Sequence, residues 1–134
     1  MAVSSITEII DADIQEVWNV VTSLDNFSWR SDLSDIKTIN EKTFVEYTKD
    51  GYSMTFTITN TEPCKCWEFD MENENMTGHW KGLFTRVDDK TELSFTEEVV
   101  AKKMIMRPFV GLYLKRQQSQ YMNDLKKYVS GRVL

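Results

Sequence analysis

Between about residues 33 and 101, apolar and polar side chains alternate with a period of two residues, which is typical of strands that bury one face. Turn-forming residues interrupt the alternation in the sequences KDG, NTEP, ENENMTG and DDK. The inward positions are clearest in three series: Tyr52, Met54, Phe56 and Ile58; Trp67, Phe69 and Met71; Trp80, Gly82 and Phe84. The pattern predicts about six antiparallel strands joined as a meander, after a first strand over residues 2–10.

Two other segments have helical periodicity. After the first strand, apolar residues recur at spacings of three and four: Ile14, Val17, Trp18, Val21 and Leu24. Asp13 and Glu16 are placed as a capping box at the start of this helix, and a turn-rich stretch with one further short helix at most is expected after it. From Pro108, a helix of about six turns is predicted. Its expected apolar face consists of Val110, Leu114, Gln117, Tyr121, Leu125 and Tyr128.

The predicted elements combine into a single α+β domain over residues 1–134. A sheet of this size has to bury one face, and the final amphipathic helix is the one large predicted element left to cover it. We therefore expect a sheet of about seven strands packed on a long C-terminal helix, with one or two short helices after the first strand.

The order of these elements, the segment ADIQEVWNVVTSLDNFSWRSDLSDI, and the strands GHWKGLF and TELSFTEEV together resemble the START-like or polyketide cyclase/dehydrase superfamily. The resemblance covers almost the whole chain. It implies a helix-grip fold, in which a curved sheet wraps around the final helix and leaves an elongated hydrophobic cavity. Asp13 departs from many relatives, which carry a proline near this position. Members include carriers, receptors and cyclases without a shared catalytic motif, so the resemblance leaves the function open.

Glu97 is the candidate for chemistry in the last predicted strand. If the alternation of Leu93, Phe95, Glu97 and Val99 is unbroken, this carboxylate points inward. An apolar environment would raise its pKa and let it act as a general acid or base near neutral pH. A bulge would instead send Glu97 to solvent, and an inward Glu97 could also be held by Tyr or Gln side chains without any ligand.

We expect the cavity to bind or carry a small hydrophobic ligand of lipid-, polyketide- or aromatic-like character, without catalysis. The expected walls are Phe56, Trp80, Phe84, Phe95, Val110 and Leu114. The expected polar contacts are Glu97, Gln117 and Tyr121, with Tyr113 at the edge. An alternative is a cyclase- or dehydratase-type enzyme in which Glu97 moves a proton. A second alternative is an interaction protein that acts through its basic C-terminal helix.

Charge is distributed unevenly along the chain. Residues 1–100 contain 8 Lys and Arg against 20 Asp and Glu, whereas residues 101–134 contain 8 against 1. The acidic body argues against nucleic-acid binding. The basic final helix fits a solvated helix face, or a transient contact with an anionic membrane or an acidic protein. The oligomeric state is not indicated.

The sequence predicts neither a metal nor a cofactor. Cys64, Cys66 and His79 are too few ligands for a structural zinc site, and His79 is expected on the outer face of the sheet beside Lys81. Two unpaired thiols fit a reducing compartment. The N-terminus lacks the pattern of a secretory signal, and no apolar run approaches the roughly 20 residues of a membrane helix. A cytoplasmic protein is expected.

Overall fold

The computed structural model describes residues 1–131 and shows a curved, seven-stranded antiparallel sheet packed against a long helix. The strands are β1 (Ala2–Ile10), β2 (Leu33–Thr38), β3 (Thr43–Thr48), β4 (Ser53–Glu62), β5 (Cys66–Glu72), β6 (Met76–Val87) and β7 (Lys90–Ala101). The helices are α1 (Ile14–Thr22), a 3-10 helix (Met104–Phe109) and α2 (Val110–Gly131). The predicted α+β helix-grip class is confirmed.

The sheet order is β1-β7-β6-β5-β4-β3-β2, so β2 to β7 form a meander and β1 pairs with β7 as an edge strand. Because all pairs are antiparallel, one end of the sheet collects the β3–β4 and β5–β6 turns and the end of β7. The opposite end collects the β2–β3, β4–β5 and β6–β7 turns. Helix α2 packs over β1 and β7.

Helix α1 closes the end of the sheet where β1 finishes. Its N-cap is Asp13, whose carboxylate accepts a hydrogen bond from Gln15 N at 3.2 Å. The ring of Trp18 meets that of Phe84 edge-on, with 4.9 Å between ring centroids. A single helix follows β1, since residues 23–32 form turns in which Ser23 Oγ accepts from Asn26 N at 3.0 Å.

The buried face of α2 is displaced from the predicted one in the middle of the helix. The buried residues are Val110, Leu114, Gln118, Met122, Leu125 and Val129. Gln117 and Tyr121 are half-buried at the border of this stripe. Gln118 can be buried because its amide is paired with β1: its Oε1 accepts from Ser4 Oγ, and its Nε2 donates to Ser4 O, both at 2.9 Å.

Strand β7 alternates without interruption, so the bulge considered for Glu97 does not occur. Its pairing with β1 and β6 runs without a register shift. Glu97 lies opposite Ser4 on β1 and Trp80 on β6, and all three side chains are buried. Neighbours that are directly opposite in an antiparallel sheet share a face. Glu97 therefore belongs to the inner face, beneath α2.

Candidate functional site

A cavity of about 810 Å³ lies between the inner face of the sheet, α2, the 3-10 helix and the turns before β2. This volume lies within the range of small-molecule binding sites. Its walls are largely aromatic: Trp29, Phe44, Phe56, Trp67, Phe69, Trp80, Phe95 and Tyr121. The exposed residues of its lining define the mouth: Lys49, Asp50, Tyr52, Ser53, Met106, Phe109, Tyr113, Arg116 and Gln120.

The aromatic walls are packed against one another in ordered pairs. The rings of Phe69 and Trp80 stack with 4.7 Å between centroids, and Trp80 lies 4.6 Å from Phe95. Gly82 makes this arrangement possible, because a Cβ atom here would lie 2.5 Å from Cη2 of Trp80. The glycine of the GHWKGLF strand thus lets the indole lie flat over the backbone of β6.

Glu97 is the most deeply buried of the four carboxylates on the cavity lining. Its side chain is held between Phe95 and Val99 on β7, and the residue is only 9% exposed. Burial raises the pKa of Glu97 to about 7, although a hydrogen bond from Gln118 and the positive charge of Arg30 favour the ionised form. At neutral pH the carboxyl group can therefore act both as a hydrogen-bond donor and as an acceptor.

Arg30 forms a second polar group on the cavity lining, and sequence analysis did not identify it. Its guanidinium pairs with Asp32 through Nε at 3.2 Å and Nη2 at 3.1 Å, and with Glu46 through Nη1 at 3.3 Å. Burial disfavours the charge, but Glu46 and Asp32 outweigh this and raise the pKa of Arg30. The guanidinium also lies 4.9 Å from the ring centroid of Tyr121.

Tyr121 lies on the cavity lining with its ring against the guanidinium of Arg30. Its ring meets Phe95 edge-on at 5.0 Å and Trp29 edge-on at 5.1 Å. Burial raises the pKa of Tyr121, so its hydroxyl stays protonated across the physiological range. Nearer the mouth, Gln117 Nε2 donates to the hydroxyl of Tyr113 at 2.8 Å. The site thus presents neutral donors beside one carboxyl group that titrates near neutral pH.

Eight of the ten residues expected at the site line the cavity: Phe56, Trp80, Phe95, Glu97, Val110, Tyr113, Gln117 and Tyr121. Phe84 and Leu114 do not line it. Phe84 lies two residues, or one inward position, beyond Gly82 and packs on Trp18 of α1. Leu114 is fully buried on the same stripe of α2 as Gln118, facing the core.

The sequence analysis missed two features of the site, Gln118 and the ion pairs of Arg30, and only the first had a signal in the sequence. Gln118 continues the spacing of four from Val110 and Leu114 and precedes Met122 by four, so this periodicity was a usable signal. The ion pairs of Arg30 had no comparable signal. The pair with Glu46 joins a turn to β3 across 16 positions of the sequence, and turn geometry decides where the side chain of Arg30 points.

His79 lies on the outer face of the sheet, away from the cavity. Its Nδ1 lies 2.7 Å from Asp70 Oδ1, and its Nε2 lies 3.0 Å from Glu68 Oε1. Among residues 1–131, no group of three or more His, Cys, Asp or Glu side chains is arranged to hold a metal ion. Both cysteines are free thiols, and Cys64 sits in a turn with φ of 61° rather than in a strand. In the same part of the chain, the helices are too short or too polar to cross a membrane.

The fold closely matches solved structures of low sequence identity. A START superfamily protein from Mycobacterium smegmatis superposes with a TM-score of 0.87 at 11% identity, covering 98% of this chain and 99% of its own. A conserved protein from Geobacillus kaustophilus gives a TM-score of 0.83 at 14% identity, with coverage of 96% and 95%. The di-domain ARO/CYC protein BexL of the BE-7585A biosynthetic pathway gives 0.83 at 11% identity; 97% of this chain matches 47% of BexL.

Comparison with curated proteins gives no significant sequence match. In contrast, residues 1–130 match the family described as polyketide cyclase/dehydrase and lipid transport. This match spans every strand and nearly all of α2. The chain therefore belongs to the polyketide cyclase/dehydrase and lipid transport family.

Proposed function

We propose that the protein binds and carries a small hydrophobic ligand, lipid-, polyketide- or aromatic-like, in the cavity between the sheet and α2. The observation that carries this proposal is the aromatic cavity of about 810 Å³ with a mouth to solvent. Apolar walls of this kind gain free energy when a ligand displaces water from them. Membership of a family that includes lipid transport supports the same conclusion.

The polar groups on the cavity lining indicate which functional groups the ligand carries. Arg30 already has two carboxylate partners, so its charge is largely neutralised within the protein. Glu97 has a pKa of about 7 and can donate to a carbonyl group or accept from a hydroxyl group. Tyr121 adds a protonated hydroxyl to the same cavity lining. These groups suit an apolar body that carries a carbonyl or hydroxyl oxygen.

Native mass spectrometry of the full chain purified from a lipid-rich host tests this proposal. We expect a stoichiometric adduct that can be extracted and identified. The variant Met54→Trp should lose the adduct, because Met54 lines the cavity and a larger side chain would fill it. The matched control is Thr55→Trp, the next residue of β4, which is exposed. It should keep the adduct.

Two outcomes would contradict the carrier function. An adduct that survives Met54→Trp as fully as Thr55→Trp would mean that the ligand lies outside the cavity. The absence of any adduct from every host, together with no calorimetric binding of extracted host lipids, would remove the support for carriage. Circular dichroism of both variants shows whether the sheet is retained.

A second candidate is a cyclase- or dehydratase-type enzyme, which the pKa of Glu97 favours. A carboxyl group with a pKa of about 7 is matched to proton transfer at neutral pH. In a dehydration, protonated Glu97 would give its proton to a leaving hydroxyl group as the C–O bond breaks and water departs. The resulting carboxylate would then take a proton from the neighbouring carbon, so that a C=C bond forms and Glu97 is protonated again. The co-purified compound provides the substrate with which to test this.

Incubation of that compound with the wild type and with Glu97→Gln separates the two functions. An enzyme converts the compound to a product lighter by one water molecule, or to an isomer if it only cyclises, and Glu97→Gln abolishes the conversion while binding persists. A carrier returns the compound unchanged in both cases. Glu97→Gln should then weaken binding only modestly, by about 1 kcal/mol, because an amide retains one donor and one acceptor.

A further inference from the structure

The segment before α2 exposes an unusual run of apolar side chains. Met104, Ile105 and Met106 are consecutive in the 3-10 helix, and the apolar surface continues along the first turn of α2. The exposed fractions lie between 46% and 78% for the set Met104, Ile105, Met106, Phe109, Leu112 and Tyr113. Consecutive exposed apolar residues are unfavourable in water unless a partner covers them, so this patch indicates an interaction surface.

Basic side chains border the patch and acidic ones are missing from its sequence. Residues 102–123 contain five basic residues and no Asp or Glu: Lys102, Lys103, Arg107, Lys115 and Arg116. The rest of the chain is acidic, so the positive charge is local. On the facing side of the mouth, Glu72 pairs with Lys102 at 3.1 Å, and Asp50 lines the cavity. Because Glu72 offsets the charge of Lys102, the positive surface of the segment rests on Lys103, Arg107, Lys115 and Arg116.

The patch is continuous with the mouth of the cavity. Met106, Phe109 and Tyr113 belong both to the exposed apolar set and to the cavity lining. Further along α2, Lys126 is paired with Glu8 at 3.1 Å, so the C-terminal half of the helix offers less uncompensated charge. The apolar and basic features thus coincide where a ligand would enter and leave.

We propose that residues 102–116 dock the protein on a lipid bilayer that contains anionic lipids, with the mouth turned towards the bilayer. The exposed apolar side chains enter the headgroup region, and the surrounding cations attract anionic lipids. An apolar molecule could then pass between bilayer and cavity without crossing water. The docking itself does not depend on the carrier function, because it rests on the surface alone.

Co-sedimentation with vesicles tests the docking. The full chain should sediment with vesicles of phosphatidylcholine and phosphatidylglycerol in equal amounts, and should stay in solution with phosphatidylcholine alone. High salt should weaken the binding, because it screens the cations. Ile105→Glu removes an inserting side chain, and Lys103→Glu reverses a bordering charge. Each substitution should lower the apparent association constant for the anionic vesicles by roughly tenfold.

Matched controls lie at the opposite end of the sheet, in the β2–β3 turn. Ile39 is an exposed isoleucine like Ile105, and Lys42 is an exposed lysine like Lys103. Ile39→Glu and Lys42→Glu change the net charge by the same amounts and should leave vesicle binding unchanged. Because all four positions are exposed, none of the substitutions should prevent folding.

Three outcomes would overturn the proposal. The first is that the protein stays in solution with the anionic vesicles. The second is that the control variants lose binding as strongly as Ile105→Glu and Lys103→Glu, which would show a non-specific charge effect. The third is that sedimentation velocity reveals a dimer that Ile105→Glu dissociates, so that a second copy of the chain covers the patch. Vesicle binding without any bound ligand would support docking even if the carrier function fails.

Discussion

The inner face of the sheet has a closed end and an open end, and the two are built from the same strands. At the closed end, Phe84 of β6 lies opposite Leu93 of β7, and α1 covers both. One pair further along, Phe95 faces the cavity, and two pairs further along Trp80 lies opposite Glu97 within it. The alternation along each strand is the same at both ends. The covering helix therefore decides whether an inward side chain becomes packed core or cavity wall.

The largest effect that distinguishes the two ends should come from truncating their aromatic residues. Phe84→Ala leaves a new void in the closed end and should lower the free energy of unfolding by about 4 kcal/mol. Phe56→Ala enlarges a cavity that already exists, so it should cost clearly less. Urea denaturation measures both. Equal losses would mean that the open end is collapsed in solution and that the comparison does not hold.

The next largest effect should be the dependence of the free energy of unfolding on pH that arises from the titration of Glu97 at the open end. Its pKa is raised from 4.5 to about 7 in the folded protein, so the folded state binds more protons than the unfolded state between these values. The contribution of Glu97 to the free energy of unfolding should therefore be complete below about pH 4.5 and fall by about 3 kcal/mol as the pH rises through this window. Glu97→Gln should remove this fall and be more stable than the wild type above neutral pH.

His79 requires a control in that experiment, because its titration acts in the same direction. Burial disfavours its charged form, but hydrogen bonds with Asp70 and Glu68 prevail and raise its pKa. Its stabilising contribution is thus present at low pH and lost as the pH rises through the folded-state pKa. Denaturation curves of His79→Gln and of the double variant isolate the part that belongs to Glu97. If the wild type and Glu97→Gln have parallel pH profiles, Glu97 is not desolvated.

A smaller effect should follow from removing Arg30. Arg30→Gln leaves Asp32 and Glu46 without their cation and should cost about 2 kcal/mol, less than a fully buried pair because these side chains are partly exposed. It should also raise the pKa of Glu97 further, because the charge of Arg30 favours the carboxylate. Carboxyl ¹³C NMR measures that pKa. Arg86→Gln, an exposed arginine of β6, should change neither quantity.

Residue periodicity was sufficient to predict the sheet, but it placed Glu97 inward only on the condition that its strand has no bulge. Period-two alternation is a property of each strand alone, and β7 has no register shift that would break it. The same reasoning placed Phe84 on the correct face but assigned it to the cavity. A strand pattern reports which face a side chain occupies, whereas α1 and Trp18 determine what that side chain meets.

For α2, the prediction misplaced the middle of the buried face around the helix axis. The positions 117 and 121 differ from 118 and 122 by one residue, or about 100° around the helix axis. The predicted face followed Gln117, Tyr121 and Tyr128, whereas the helix buries Gln118, Met122 and Val129. The burial of Gln118 depends on the backbone and hydroxyl of Ser4, which lies 114 positions earlier in the chain. Such long-range compensation of a buried polar group has no local signature.

The distribution of the tryptophans gives the molecule an internal optical probe. Trp29, Trp67 and Trp80 line the cavity, whereas Trp18 is packed against Phe84 at the closed end. Three of the four indoles thus sit where an arriving ligand would replace water or quench emission directly. Filling of the cavity should shift the intrinsic fluorescence without any label, and a Trp18→Phe variant would retain that response while removing most of the invariant background.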